Sequence, residues 1–179
     1  MASDEEFSKE LVFVNKGIPG DTSTGLLHRI SEDILSYKPK PDYCIIIIGT
    51  NDLGWSSSTD KILNNIQELH KITRDFGIIP IGGLIPPITK RSSSPKWDII
   101  RSDFNEELKQ YFIENDIAFT DYSYMTDEED YLRPANTSGD GVHFSVLGYK
   151  MMGYSLFDNV IKSILEVEIK KQQQKNKKI

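Results

Sequence analysis

Cysteine is nearly absent from this 179-residue chain: Cys44 is the only one, so no disulfide can form within it. It lies inside the apolar run "YCIIIIG", where a single thiol serves as a small core hydrophobe. Long apolar runs are missing too. None approaches the roughly 18 residues that a helical membrane span needs, so no span is expected. The opening "MASDEEF" is acidic and lacks the basic-then-apolar order of a secretory leader, which points to a cytoplasmic location. Basic charge is short as well, with 21 Lys and Arg against 27 Asp and Glu and a formal charge of −6. That balance disfavours nucleic acid as a partner, because phosphate binding rests on clustered cations. Histidine is scarce; His28 and His70 fall on predicted helices without a ligand-spaced partner, so helix-surface positions and no metal site are expected.

What is present reads as one domain over residues 1–168, with 38% apolar content and room for a core. "LVFVN" (Leu11–Asn15) is a short β-forming run that ends in a Gly- and Pro-punctuated loop, which predicts a buried strand. Leu26, Leu27, Ile30, Ile34 and Leu35 then recur at helical spacing until Pro39 and Pro41. "YCIIIIG" (Tyr43–Gly49) lacks alternation, as a parallel strand deep in a sheet does. A helical stripe from Thr59 to Phe76 closes at Gly77. "IIPIGGL" (Ile78–Leu84) predicts another strand, followed by a Pro- and Ser-rich loop, a helix from about Asp98 to Asn115 and the strand "IAFTDY". A last amphipathic helix covers about Ser145 to Glu168. Residues 169–179 have no apolar face and are expected to fray as a basic, polar tail.

Alternating strands and helices predict an α/β fold, a parallel sheet flanked by helices and wound by right-handed crossovers. Ligands of such sheets bind beyond the carboxyl ends of the strands. Two loops there could carry chemistry. "GTND" delivers Asn51 after the most apolar strand, where its amide could donate to a developing oxyanion or simply shape an Asn-Asp turn. "DGVH" sets Asp140 and His143 three residues apart, suiting a general base oriented by an acid, or a capping acid beside a surface histidine. Trp55 and Trp97 could line the mouth of a pocket or lie in ordinary exposed loops.

The blocks "NKGIPGDTS", "IIIIGTND" and "DGVHFSVLGYKMMG", in this order and after predicted strands, resemble blocks II, III and V of the SGNH hydrolases, the GDSL esterase and lipase superfamily. The resemblance spans essentially the whole chain. It implies a flavodoxin-like three-layer α/β/α sandwich and ester hydrolysis by a Ser-His-Asp mechanism without a cofactor. Gly20 would offer its backbone N–H, and Asn51 its side-chain amide, to the oxyanion. His143 would be the base and Asp140 its orienting acid. The substrate would be a small ester of a lipid, an aryl alcohol or a sugar.

The resemblance also bears on "GDTS": it implies that this stretch belongs to block II, where the Asp-Thr-Ser turn caps the following helix, and that Ser23 is not the nucleophile. The block I serine, on the first and central strand, has no counterpart. Ser3 and Ser8 stand too close ahead of Gly20 to leave room for a strand end, a covering helix and a second strand. "EEFSKEL" reads as the tail of a missing first helix, so the chain is expected to be an N-terminally incomplete esterase. A natural remnant that binds a ligand or partner without hydrolysis is the alternative, and a serine supplied by another subunit, or by an unusual local one, a third. Loss of the central strand would leave backbone groups unpaired, which makes a homo-oligomer or a partner strand completing the sheet plausible.

Overall fold

The computed structural model describes residues 11–176. Its sheet has three parallel strands in the order β1 (Tyr43–Ile46), β2 (Ile79–Gly83), β3 (Phe119–Thr120), with Tyr43 opposite Ile79 and Gly82 opposite Phe119. Side chains alternate across a strand. On one face, Cys44 and Ile46 of β1 meet helix α1 (Ser23–Ile30) through Ile30 and helix α3 (Thr59–Asp75) through Leu69. Farther along that face, Ile62 and Ile66 of α3 pack with Phe104, Leu108 and Phe112 of α4 (Pro95–Glu114). The phenyl ring of Phe112 lies where a β-carbon on Gly82 would be, which lets α4 approach the sheet closely. On the opposite face Tyr43, Ile45 and Ile81 meet a single cover: α5 (Val146–Leu156), the π-turn Phe157–Ile161 and α6 (Lys162–Asn176). Helices therefore flank the parallel sheet on both sides, the α/β arrangement read from the sequence.

Local chemistry explains the helix starts. Thr22 caps α1 by accepting the Gly25 N–H at 3.1 Å, Ser94 caps α4 by accepting that of Trp97, and Ser145 caps α5 by accepting that of Gly148. The short helix α2 (Thr50–Gly54) starts after Gly49, three residues past the end of β1.

Four sequence expectations are corrected. Leu11–Asn15 joins no ladder among the described residues, and Val12 and Phe13 stand 80% and 64% exposed. A short apolar run becomes a strand only beside a partner, and here none adjoins it. For the same reason β1 is, among the described residues, an edge strand, three of its four residues only partly buried, where a place deep in the sheet was expected. His70 is buried under Tyr111 and Phe112, stacked on the former at 5.8 Å between ring centroids, where a helix-surface place was expected. Burial, with Arg74 nearby, pushes its pKa down to about 4. Finally, helix α6 runs on to Asn176 through residues expected to fray, since Lys and Gln are good formers once a helix is under way. The expected helix tail "EEFSKEL" lies almost wholly outside the described residues.

Candidate active site

Block II is built as a turn followed by a cap. Asp21 N–H donates to Ile18 O, and Gly20 takes φ +77°, a left-handed conformation that glycine adopts without penalty. The Gly20 N–H has no acceptor among the described residues. Arg29 clamps the turn by bonding the Asp21 carboxylate and the Lys16 carbonyl. Ser23 is fully buried, at 0% exposure. Its N–H and hydroxyl both donate to Asp52, at 2.8 and 2.7 Å, and Asn65 donates to the same hydroxyl at 2.9 Å. A serine so enclosed cannot meet a substrate, and the cap of the helix is its neighbour Thr22.

The same Asp52 belongs to "GTND", so the clamp ties the first loop to the second. Gly49 turns the chain at φ +123°, and a β-carbon there would lie 2.7 Å from Ile85 Cδ1. One turn later the Asn51 amide donates to Asp21 O at 2.8 Å, which spends one amide hydrogen and leaves the other. Gly20 and Asn51 are thereby held as neighbours through Asp21. Sequence reading passed over Asp52 and Asn65; the Asp in "GTND" was legible only as part of a turn.

The third loop holds Asp140 and His143 together. Asp140 Oδ1 accepts the N–H groups of Val142 and His143 at 2.8 and 2.9 Å, and Oδ2 lies 2.6 Å from His143 Nδ1. The Val142 N–H first, then the imidazole and the His143 N–H, hold the Asp140 carboxyl well below the usual carboxylate range. An ionised carboxylate can only accept, so Nδ1 carries the proton and Nε2 keeps its lone pair for an incoming one. The imidazole is 72% exposed. The turn itself leans on the Pro- and Ser-rich loop after β2: Thr89 N–H donates to Gly141 O at 2.8 Å, Ser92 Oγ to Asp140 O at 2.9 Å and Arg91 to Gly139 O at 2.8 Å. That support could not be read from the sequence.

Gly20 and Asn51 sit beyond the carboxyl end of β1, and the Asp140–His143 turn rests on the loop beyond β2, so both stand at the same edge of the sheet. No hydrogen bond joins the two pairs, and no serine hydroxyl among the described residues bonds His143. A family model, the GDSL-like lipase/acylhydrolase family, matches residues 4–151. The chain belongs to that family.

Solved structures of GDSL-like proteins agree with the assignment. A GDSL-like lipase from Bacteroides thetaiotaomicron is 26% identical, with 83% of this chain and 73% of that one covered at a TM-score of 0.68. A protein of the G-D-S-L family from Desulfitobacterium hafniense, described as lipolytic, is 25% identical over 82% of this chain and 80% of its own, with a TM-score of 0.73. A catalytic serine-to-alanine mutant of Axe2, an acetylxylan esterase from Geobacillus stearothermophilus, is 25% identical over 82% and 70% at 0.68. No curated protein matches in sequence.

Among the described residues no cluster of His, Cys, Asp and Glu could hold a metal, and no helix is long and apolar enough to cross a membrane. Trp55 is exposed and Trp97 half-buried with its indole N–H unpartnered. A broad groove of about 1050 Å³ between α3 and α4 is lined by Lys71, Arg74, Glu107 and Glu114 among others, and by none of the candidate residues.

Proposed function

We propose that this chain carries the proton-transfer and oxyanion-binding parts of a GDSL-type ester hydrolase, and that its nucleophilic serine lies on a strand outside the described residues. The observation that carries the reading is the 2.6 Å contact between Asp140 and His143 Nδ1, which leaves Nε2 as the proton acceptor. A serine hydroxyl attacks the ester carbonyl carbon while Nε2 takes its proton, and Asp140 stabilises the imidazolium that forms. The carbonyl oxygen, now an oxyanion, accepts from the Gly20 N–H and the remaining Asn51 amide hydrogen. Collapse breaks the bond to the alcohol, which leaves with the proton from Nε2. Water then attacks the acyl-serine by the same steps, releasing the acid. No cofactor enters, and esters of lipids, aryl alcohols and sugars all fit this chemistry. The catalytic substitution in the acetylxylan esterase replaces a serine near the start of that chain, which supports a nucleophile ahead of block II.

A second reading, a ligand-binding remnant of the same fold, is favoured by the hydrogen bonding of His143, which among the described residues includes no serine hydroxyl. The two separate on labelling with a fluorophosphonate, followed by intact mass. The chain as it stands should gain no adduct; joined to a serine-bearing first strand it should gain one, lost in His143→Ala. An adduct on Ser23, or one that survives His143→Ala, sinks the hydrolase reading. Ester binding without adduct in the completed protein favours the remnant.

A further inference from the structure

The Asp140–His143 turn does not aim itself. It is the tip of a hairpin closed by the Thr137–Phe144 bridge and by the Ser138 N–H, which donates to His143 O at 2.9 Å. Asp140 sits in that tip between Gly139 at φ +106° and Gly141 at φ +83°. Two glycines in the left-handed region rotate at little cost, so the bonds inside the tip join carboxylate to imidazole without deciding where the pair points. The aim is set from outside, by Thr89, Arg91 and Ser92, which donate to the carbonyls of Gly141, Gly139 and Asp140. These residues lie hard against the tip, since a β-carbon on Gly141 would come 2.3 Å from Thr89 Oγ1. Whatever fixes the turn from Thr89 to Ser93 therefore fixes the direction of His143.

That turn is closed by the N–H groups of Ser92 and Ser93, which donate to Thr89 O at 2.9 and 3.0 Å. Upstream of it Ile88 is buried, and its carbonyl accepts the Leu132 N–H at 3.0 Å. Downstream, the Ser93 hydroxyl donates to Asp98 Oδ1 in the first turn of α4. Asp98 Oδ2 accepts the Tyr131 hydroxyl at 3.0 Å. An acid in the first turn of a helix ordinarily serves the helix dipole. Here both oxygens reach hydroxyls of other segments, so one carboxylate joins α4, the supporting turn and the chain around Tyr131. Helix α4 supplies the fixed end, because Phe104, Leu108 and Phe112 bury it in the core.

We propose that Asp98 is a positioning residue for His143. Through Ser93 its carboxylate anchors the supporting turn to α4, and through that turn it sets the direction in which the Asp140–His143 pair faces the carboxyl edge of the sheet. Asp98 acts only through these residues and touches no reacting atom. The inference deepens the function proposed above: it rests on that reading for His143 as the base, and on the hydrogen bonds alone for the order of the tip.

The test is nitrogen relaxation NMR of the tip amides in the chain as it stands. The Asp140, Gly141 and Val142 amides should have order parameters of about 0.85 in the wild type and below about 0.6 in Asp98→Ala, the value of a flexible loop. Ser93→Ala, a milder change, should do the same, and Asp98→Ala in that background should add nothing. Asp98→Asn should restore the order, since an amide keeps an oxygen for one hydroxyl and offers an N–H to the other, which rotates to accept. Tyr131→Phe takes a bond from the same carboxylate but leaves Ser93 held, so the tip should keep its order. Unchanged order in Asp98→Ala overturns the proposal; where that variant does not fold, unchanged order in Ser93→Ala does so. Equal loss in Tyr131→Phe makes the junction merely structural and overturns it too. Fluorophosphonate labelling of the chain joined to a serine-bearing first strand separates the two readings. It should slow roughly ten- to a hundredfold in Asp98→Ala and recover in Asp98→Asn. Lost tip order with labelling at the wild-type rate removes the positioning role alone, and tip order that responds as expected in a protein that gains no adduct removes the hydrolase reading alone.

Discussion

Replacing Ser23 by alanine distinguishes a buried clamp from a nucleophile. The Ser23 hydroxyl donates to Asp52 at 2.7 Å and accepts from Asn65 at 2.9 Å, with Ser23 at 0% and Asp52 at 2% exposure. Ser23→Ala deletes the hydrogen bond to the charged Asp52, worth about 1.5–3 kcal/mol, and the weaker one from Asn65, whose amide keeps Thr24 as a partner, while the Ser23 N–H still reaches the carboxylate. The expected loss is therefore about 2 kcal/mol, or roughly 4–8 °C in Tm for a chain of this length. Thermal unfolding followed by circular dichroism measures it. The Asp52→Ala background supplies the control: with that acceptor gone, Ser23→Ala loses only the Asn65 bond and should cost about 1 kcal/mol or less, so the two losses fall short of additive. A loss that is the same in both backgrounds would refute the clamp. In a completed, active protein the variant should keep its labelling serine, because Ser23 is not the group that reacts.

Three further outcomes follow from the packing. The folded pKa of His70 lies near 4 and the unfolded value near 6.5, so as pH falls through this window the unfolded state takes up a proton that the folded state refuses. Wild-type stability should drop by about 2 kcal/mol more than that of His70→Leu between pH 7 and 4.5, read by urea unfolding at each pH; parallel curves would show the ring to be accessible. Burial pushes the Cys44 thiol up to about 11, so at pH 8 a disulfide reagent should react roughly a hundredfold more slowly with the folded than with the unfolded chain, and equal rates would contradict the packing. Gly141 has φ +83°, and a β-carbon there would sit 2.1 Å from Ser92 Oγ. Gly141→Ala should cost about 1–3 kcal/mol and, in a completed protein, slow fluorophosphonate labelling by shifting the His143 turn, whereas Gly153→Ala, with open space around it, should do neither.

The stretches whose structure was legible in the sequence are those whose partners are also in it. The stripe of Ile62, Ile66 and Leu69 finds α4 and the sheet, and "IIPIGGL" finds a strand on each side, so pattern and packing agree. Leu11–Asn15 has a pattern just as apolar and becomes no strand, because alternation and β-propensity describe what a segment could bury and supply no ladder to bury it in. His70 failed for the complementary reason. A polar residue on a helix is read as exposed by default, and what buries this one is the pair Tyr111 and Phe112, some forty positions away.

The candidate site divides along the same line between local and distant contacts. Asp140 and His143 were legible because a three-residue turn suffices to bring carboxylate to imidazole, and the two backbone N–H groups that fix Asp140 come from the same turn. What holds that turn, Thr89 to Ser92, and what locks block II to block III, Asp52 with Ser23 and Asn65, depend on contacts between loops far apart in sequence. These contacts make Ser23 a structural serine in spite of its Gly-Asp-Thr-Ser setting. An esterase signature is defined by a hydroxyl facing His Nε2, and here the hydroxyl faces a buried aspartate. The order of the blocks set Ser23 apart from the nucleophile, and the hydrogen bonds to Asp52 are a physical reason for it to stay buried.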